Sequence, residues 1–346
     1  MRTIELKTST DHCRIIIGGI LKDVSGLISK GRLAIITDQN VSHFYKNSFP
    51  NGLLIEIKPG EKSKTSETVD SIYEKLLDYE LDRRDFILGI GGGVVCDVAG
   101  FVASTYMRGV RFGFVASSLL AQVDASIGGK NGINLKGFKN IIGVIKQPEF
   151  IISDLNMLKT LDRKEFISGI AEVIKYGAIM DKNLFEYCES HSREIINMDP
   201  EIIEEMVFRS ASNKVKLVQM DEYESGERMK LNYGHTFAHA LEKLTGISHG
   251  EAVANGMCIA GAISVSEGLL SEDEAYRLKS LIQAMGLPVD MKIDPVDISR
   301  AIRKDKKKSG NMIGLILLRK LGRSVIHNID IDRLGNILND LYSNSK

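Results

Sequence analysis

Three of the seven histidines, His235, His239 and His249, fall within a stretch of fifteen residues, in the segments NYGHTFAH and SHGE. Imidazoles clustered this closely are a metal-ligand signal. His235 and His239 stand four apart and share a helix face, but the text HTFAH lacks the glutamate of a zinc protease, which argues against peptide hydrolysis. A catalytic zinc takes three protein ligands and keeps one position open, so a carboxylate from elsewhere can complete the set. Glu172 is the candidate. It lies in GIAEVIKYG (169–177), a helix apolar enough that Glu172 and Lys175 are costly to bury without partners. The competing reading of that segment is an internal Glu–Lys ion pair.

A second chemistry lies in the glycines. GIGGGVVCD (89–97) follows a strand-like run and opens a helical pattern, where missing side chains let backbone N–H groups approach a pyrophosphate. Val94 occupies the place of the third glycine of GxGxxG, and a plain strand-to-helix turn is the alternative. TDQN (37–40) and PGEKSK (59–64) stand at strand ends where a carboxylate can bond ribose hydroxyls, or where an ordinary turn would serve. QVDASIGGKNGIN (122–134), followed by Lys139 and Asn140, gathers glycines, amides and lysines into a stretch poor in periodicity; it reads as an anion-binding loop. Lys214, Arg228 and Asn232 can bind a carboxylate or hydroxyls, or lie on helix surfaces, and RKDKKK (303–308) is a solvated face unless one lysine meets an anionic substrate.

These groups need elements to hold them. Apolar runs at 15–17, 33–36, 53–57, 86–90 and 112–115 alternate with helical patterns, which predicts an α/β first domain with a mainly parallel, Rossmann-like sheet over 1–155. From 156 to 346 helical spacing dominates, giving a mainly α-helical second domain. Within it, Ser271 and Glu274 start a helix that stops at Gly286, and Met312–Leu318 is either a strand or a buried helix. The chain has 346 residues, enough for two cores, and its 43% hydrophobic and 26% charged residues suit folded domains. Lysine plus arginine equal aspartate plus glutamate at 45 each, so nothing draws the chain to nucleic acid. Four scattered cysteines read as reduced thiols. No signal peptide or membrane-length apolar stretch is present, and a cytoplasmic enzyme is expected.

Taken in order from Thr37 to Leu318, these segments resemble the 3-dehydroquinate synthases, within the sugar phosphate cyclases. The resemblance rests on GGGVVCDVAGFVASTYMRGVRF (91–112), SLLAQVDASIGGKNGIN (118–134), SGIAEVIKYG (168–177), LNYGHTFAHALE (231–242), HGEAV (249–253) and DKK (305–307). It implies NAD bound in the first domain by Asp38, Asn40, Glu61, Lys64, Gly92, Gly93, Val94 and Asp97, with Ser117, Ser118, Lys130, Lys139 and Thr160. It implies a divalent metal, zinc first and cobalt as alternative, on Glu172, His235 and His249, leaving His239 for proton transfer. Substrate contacts carried over are Asp124, Lys130, Asn140, Lys175, Lys214, Arg228, Asn232 and Lys306, with Arg108 reaching the neighbouring site across a homodimer interface.

The implied reaction converts the sugar phosphate 3-deoxy-arabino-heptulosonate 7-phosphate to 3-dehydroquinate and phosphate. It runs through transient oxidation at C5, elimination of phosphate, reduction, ring opening and aldol closure. Ser117 and Ser118 replace paired threonines and keep their hydroxyls, Asn131 stands where a small or threonine-like residue is usual, and Lys146 replaces a histidine. A metal-dependent glycerol or alcohol dehydrogenase is the main rival. It would not need the cations for phosphate and carboxylate. A cyclase acting on a different sugar phosphate and a non-catalytic protein that binds metal and nucleotide are two further rivals.

Overall fold

The structure is a computed structural model and describes every residue except 10, 29–30, 290–295, 299, 301, 303–310 and 344–346, with 342–343 described for backbone alone. Lys306, and the lysines beside it, therefore lie outside the described residues. The chain divides into two compact units, Met1–Phe166 with Ile203–Tyr223, and Ile167–Ile202 with Glu224–Lys346. The sequence places one cut after residue 155; the units instead part within two helices, and a later helix returns to the first unit.

The first unit is built on a seven-stranded sheet ordered β1-β2-β9-β6-β5-β3-β4. Its strands are β1 Arg2–Lys7, β2 His12–Ile17, β3 Leu33–Asp38, β4 Leu53–Ile57, β5 Phe86–Gly91, β6 Arg111–Ala116 and β9 Phe150–Ser153. Only the β1–β2 pair of this sheet is antiparallel, so the other connections are crossovers rather than tight turns. All five expected runs are strands. Every residue of β5 is buried, the pattern of a strand covered on both faces. Leu88, Ile90, Val115 and Ile152 form one core with Phe86, whose ring stacks on Phe150 at 5.7 Å.

Helices α1 Gln39–Tyr45, α2 Ser66–Asp78 and α3 Gly93–Thr105 connect the early strands. β3 has β4 on one side and β5 on the other, so the order reverses between β3 and β5, where ligands of open α/β sheets bind. The stretch read as a loop is partly a hairpin, β7 Lys130–Leu135 with β8 Phe138–Ile145.

In the second unit, α4 Arg163–Met180 contributes its part from Ile167 onward, followed by α5 Lys182–Ser190 and α6 Ser192–Ile196. α7 Pro200–Met220 passes mainly to the first unit, and α8 His235–Thr245, α9 His249–Ser266 and α10 Glu272–Ala284 belong to the second. Every residue from Ser168 to Ile179 is buried, and α9 buries small residues such as Ala252, Ala254, Gly256, Ala260 and Gly261. A helix apolar all round has to be internal. α10 begins where expected, with Ser271 Oγ accepting from Glu274 N at 3.3 Å, and Gly286 follows its end at φ 80°. Met312–Leu318 is a strand: β10 Met312–Lys320 pairs antiparallel with β11 Arg323–Asp330, before α11 Ile331–Ser343. Among the described residues, no helix is long and apolar enough to cross a membrane.

Candidate active site

Two groups of polar side chains stand out, one in each unit. In the first, Asp38 closes β3 and caps α1, its Oδ1 accepting from Asn40 N at 2.9 Å and Val41 N at 3.0 Å. Gly92 and Gly93 turn β5 into α3, whose N-cap has no side-chain hydrogen bond. A β-carbon on Gly92 would lie 3.2 Å from Ser118 Oγ, and one on Gly93 3.0 Å from Ala125 Cβ. The first turn of α3 thus exposes backbone donors in a space that side chains would fill, and this fits a pyrophosphate. Val94 is the second residue of α3, and Ser117 and Ser118 follow β6.

Lys64, on the turn after β4, is 3% exposed and lies 2.5 Å from Asp97 Oδ2 on α3. Its Nζ also donates to Asn140 Oδ1, and Glu61 Oε1 stands 3.9 Å away. Burial, opposed by Lys64, lifts the Asp97 carboxyl to about 6. Asp124 sits on a single π-turn, Ala121–Ala125, a rare backbone form concentrated at functional sites. Its Oδ1 is 2.6 Å from Nζ of Lys214, which α7 brings into the first unit. Lys130, Lys139 and Asn140 are exposed on the hairpin. Thr160 Oγ1 lies 2.7 Å from the Tyr45 hydroxyl, and Arg108 is exposed in a left-handed turn at φ 66°.

The second group centres on Glu172, 1% exposed on α4. Its two oxygens face different partners. Lys175, one turn on, is ion-paired with Oε2, while Nε2 of His235 and of His249 lie 3.7 and 3.6 Å from Oε1. One ligand atom from each of Glu172, His235 and His249 falls within 4.8 Å of the others. Ligands 2.0–2.1 Å from a tetrahedral zinc stand about 3.3 Å apart, so this donor set fits such an ion with small adjustment.

Both rings are held from behind, His249 Nδ1 by Glu242 Oε1 at 2.9 Å and His235 Nδ1 by the Tyr233 carbonyl at 3.3 Å. That arrangement leaves Nε2 of each for the ion. Burial, then the Lys175 ammonium, pushes His235 down to about 3. Burial acts the same way on His249, but the carboxylates of Glu172 and Glu242 outweigh it and raise that ring to about 9. His249 comes so close through its neighbour: Gly250 N donates to Ser168 Oγ at 3.0 Å, where helix α9 begins against α4.

His239 is exposed, its ring 5.8 Å from that of His235 and roughly perpendicular to it. Arg228 is 1% exposed in the turn Glu227–Asn232, and Asn232 Nδ2 donates to Glu224 Oε1 at 2.7 Å. Residues with direct partners in these groups that were not singled out from sequence include Glu242, Glu224, Tyr45, Tyr233, Ser168 and Asn134. Of these, Glu242 carries the one sequence signal, a carboxylate three residues after His239 and seven before His249, and that spacing was not read.

A parallel-sheet unit with a glycine turn at its switch point, joined in sequence to a helical unit bearing a carboxylate–imidazole trio, defines a class of two-domain α/β proteins. Family models described as 3-dehydroquinate synthase N-terminal and C-terminal match residues 54–168 and 169–308. A 3-dehydroquinate synthase of Thermoanaerobacter pseudethanolicus is 42% identical over 323 residues, 90% of this chain and 91% of the relative. Among solved structures, 2-epi-5-epi-valiolone synthase from Streptomyces hygroscopicus with NAD+ and Zn2+ bound aligns at TM-score 0.88 and 25% identity, covering 99% of this chain and 100% of that one. A 2-deoxy-scyllo-inosose synthase complexed with carbaglucose-6-phosphate, NAD+ and Co2+ aligns at TM-score 0.88 and 24% identity, over 98% and 100%, a likeness of fold. The chain belongs to the 3-dehydroquinate synthase family.

Proposed function

We propose that this protein is a 3-dehydroquinate synthase, converting 3-deoxy-arabino-heptulosonate 7-phosphate to 3-dehydroquinate and phosphate with no net oxidation. The observation that carries the reading is the meeting of Glu172, His235 and His249 in a chain of this family. These three hold a divalent metal, zinc or, as the alternative, cobalt. NAD, when bound, supplies a hydride acceptor that is regenerated in each cycle, and the metal supplies Lewis acidity toward a secondary alcohol.

The chain's own residues bind and move protons. Asp38, Asn40, Glu61, Lys64, Asp97 and Thr160 hold the cofactor with Ser117, Ser118 and Lys139, and the Gly92–Val94 turn receives its pyrophosphate. Lys130, Asn140 and Lys306 bind the substrate phosphate, and Lys214 and Arg228 pair with its carboxylate. Asp124 and Asn232 orient hydroxyls. Departure of phosphate requires removal of a proton from the neighbouring carbon. His239 and Lys175 are the groups that assist it, one exposed beside His235 and the other buried against Glu172.

Arg108, on its exposed turn, completes the phosphate site of a partner copy in a homodimer. We place the enzyme in the cytoplasm, in keeping with four free cysteines. The cations assigned to phosphate and carboxylate favour this substrate over the simple alcohols of a dehydrogenase. Incubation with the heptulosonate phosphate, NAD and zinc, followed by mass spectrometry, tests the reading: 3-dehydroquinate is expected, and recovery of unchanged sugar phosphate would overturn it.

A further inference from the structure

The hairpin β7–β8 departs from regular pairing at one place. Ile133 pairs with Ile142 and Leu135 with Phe138, so Asn134 alone on β7 faces Lys139, Asn140 and Ile141 on β8. The two-residue turn, Lys136-Gly137, has both φ values positive, at 49° and 81°, which fixes the register on its side. The irregularity is therefore confined to the residues around Asn134, and bulges of this kind re-aim side chains beside active sites. Asn140, within it, is held left-handed at φ 54°, a conformation asparagine tolerates better than most residues.

Asn134 uses three polar groups at this point, and each meets a different part of the proposed site. Its Oδ1 accepts from the backbone N of Asn140 at 2.8 Å, its Nδ2 donates to Glu61 Oε1 at 2.8 Å, and its backbone N donates to the Lys64 carbonyl at 2.8 Å. Lys64 closes the circuit, since its ammonium reaches both Asp97 and Asn140 Oδ1. Glu61, Lys64 and Asp97 stand on the cofactor side of the site, and Asn140 on the phosphate side. Asn134, hydrogen-bonded to both sides, has itself no assigned contact with either ligand.

We propose that Asn134 is a positioning residue that couples the cofactor side of the site to the substrate side. Its Oδ1 holds Asn140 in the left-handed form that presents the amide to phosphate, while its Nδ2 holds Glu61 toward the cofactor. This rests on the function proposed above. The oxygen and nitrogen halves of the amide can be separated chemically, because aspartate keeps the acceptor and lacks the donor.

The test uses the zinc-loaded full chain and steady-state kinetics with both substrates varied. N134A is expected to raise KM for NAD and KM for the heptulosonate phosphate about tenfold each, with kcat changed less and bound zinc unchanged. N134D is expected to restore the sugar-phosphate KM but not the NAD KM, since its carboxylate faces Glu61. Combined with N140A, N134A should add nothing further to the sugar-phosphate KM, because both act through the same contact. Wild-type KM values in N134A, equal recovery or equal loss of both KM values in N134D, or full additivity with N140A would each overturn the coupling. A wild-type enzyme that forms no dehydroquinate would instead remove the proposed function on which it rests.

Discussion

Replacement of Gly250 by alanine tests whether the start of α9 sets the metal site. A β-carbon there would lie 2.5 Å from both the carbonyl oxygen and Oγ of Ser168, and closer still to its Cα, whereas ordinary contacts begin near 3.4 Å. The obstacle is backbone of α4, buried on all sides, so it cannot turn away as a side-chain tip would. The start of α9 must retreat by about 1 Å, and overpacking of that size costs about 1–3 kcal/mol. Loss of the Gly250–Ser168 hydrogen bond adds about 1 kcal/mol. His249 precedes Gly250 and moves with it, while metal–ligand distances tolerate only about 0.2 Å. Zinc affinity should therefore fall at least about tenfold, as it does when groups orienting a ligand are lost. The assay is zinc titration against a competing chelator, paired with thermal unfolding of the metal-free protein. A variant that loses stability yet binds zinc with wild-type affinity would refute the link between this helix contact and the ligand geometry.

Glu242→Gln should lower zinc affinity about 10- to 100-fold with little change in fold, because the Nδ1 side of His249 loses its carboxylate; chelator competition measures it, and an unchanged affinity would contradict the orienting role. Lys175→Met should cost the metal-free protein about 3–5 kcal/mol, since Glu172 stays buried after its ammonium is gone; added zinc should recover part of that loss in urea unfolding, and equal losses with and without zinc would count against the trio. Asp97, raised to about 6 when folded, holds its proton more tightly in the native state than in the unfolded chain, so its contribution is greatest below about pH 4 and is lost as pH rises through about 6. The difference is about 3 kcal/mol. Asp97→Asn should flatten that limb of the stability–pH curve, and parallel curves for the two proteins would show an ordinary carboxyl.

Five of the six parallel strands were legible as apolar runs, β5 most plainly because both sheet faces bury it, while the half-exposed edge strand β4 still shows its run and the four-residue β9 was not singled out. The meeting of Glu172 with histidines was legible in part: a carboxylate inside an apolar helix and clustered imidazoles marked the region, but the choice of His235 and His249 over His239 came from the family resemblance. The hairpin β7–β8 was hidden because its alternation is broken by Gly132, which pairs with Gly143, and by the irregularity at Asn134. Met312–Leu318 was ambiguous since a short apolar run suits a strand or a buried helix equally. The turn at Gly322, φ 80°, and the β11 partner settle it as a strand. The return of α7 to the first unit was not legible at all. It rests on tertiary contacts that no local pattern encodes, among them Lys214 with Asp124 across ninety residues of sequence and Glu205 with Arg2. Glu242 was missed because its use depends on where α8 places it beside the first residue of α9.

A reaction that uses NAD without consuming it is tested most directly by phosphate release measured together with NADH absorbance. With the heptulosonate phosphate, zinc and NAD far below substrate, the phosphate released should equal the substrate consumed and no NADH should accumulate. NADH rising from glycerol or a simple alcohol, with no phosphate released from the sugar phosphate, would contradict this and make the protein a dehydrogenase.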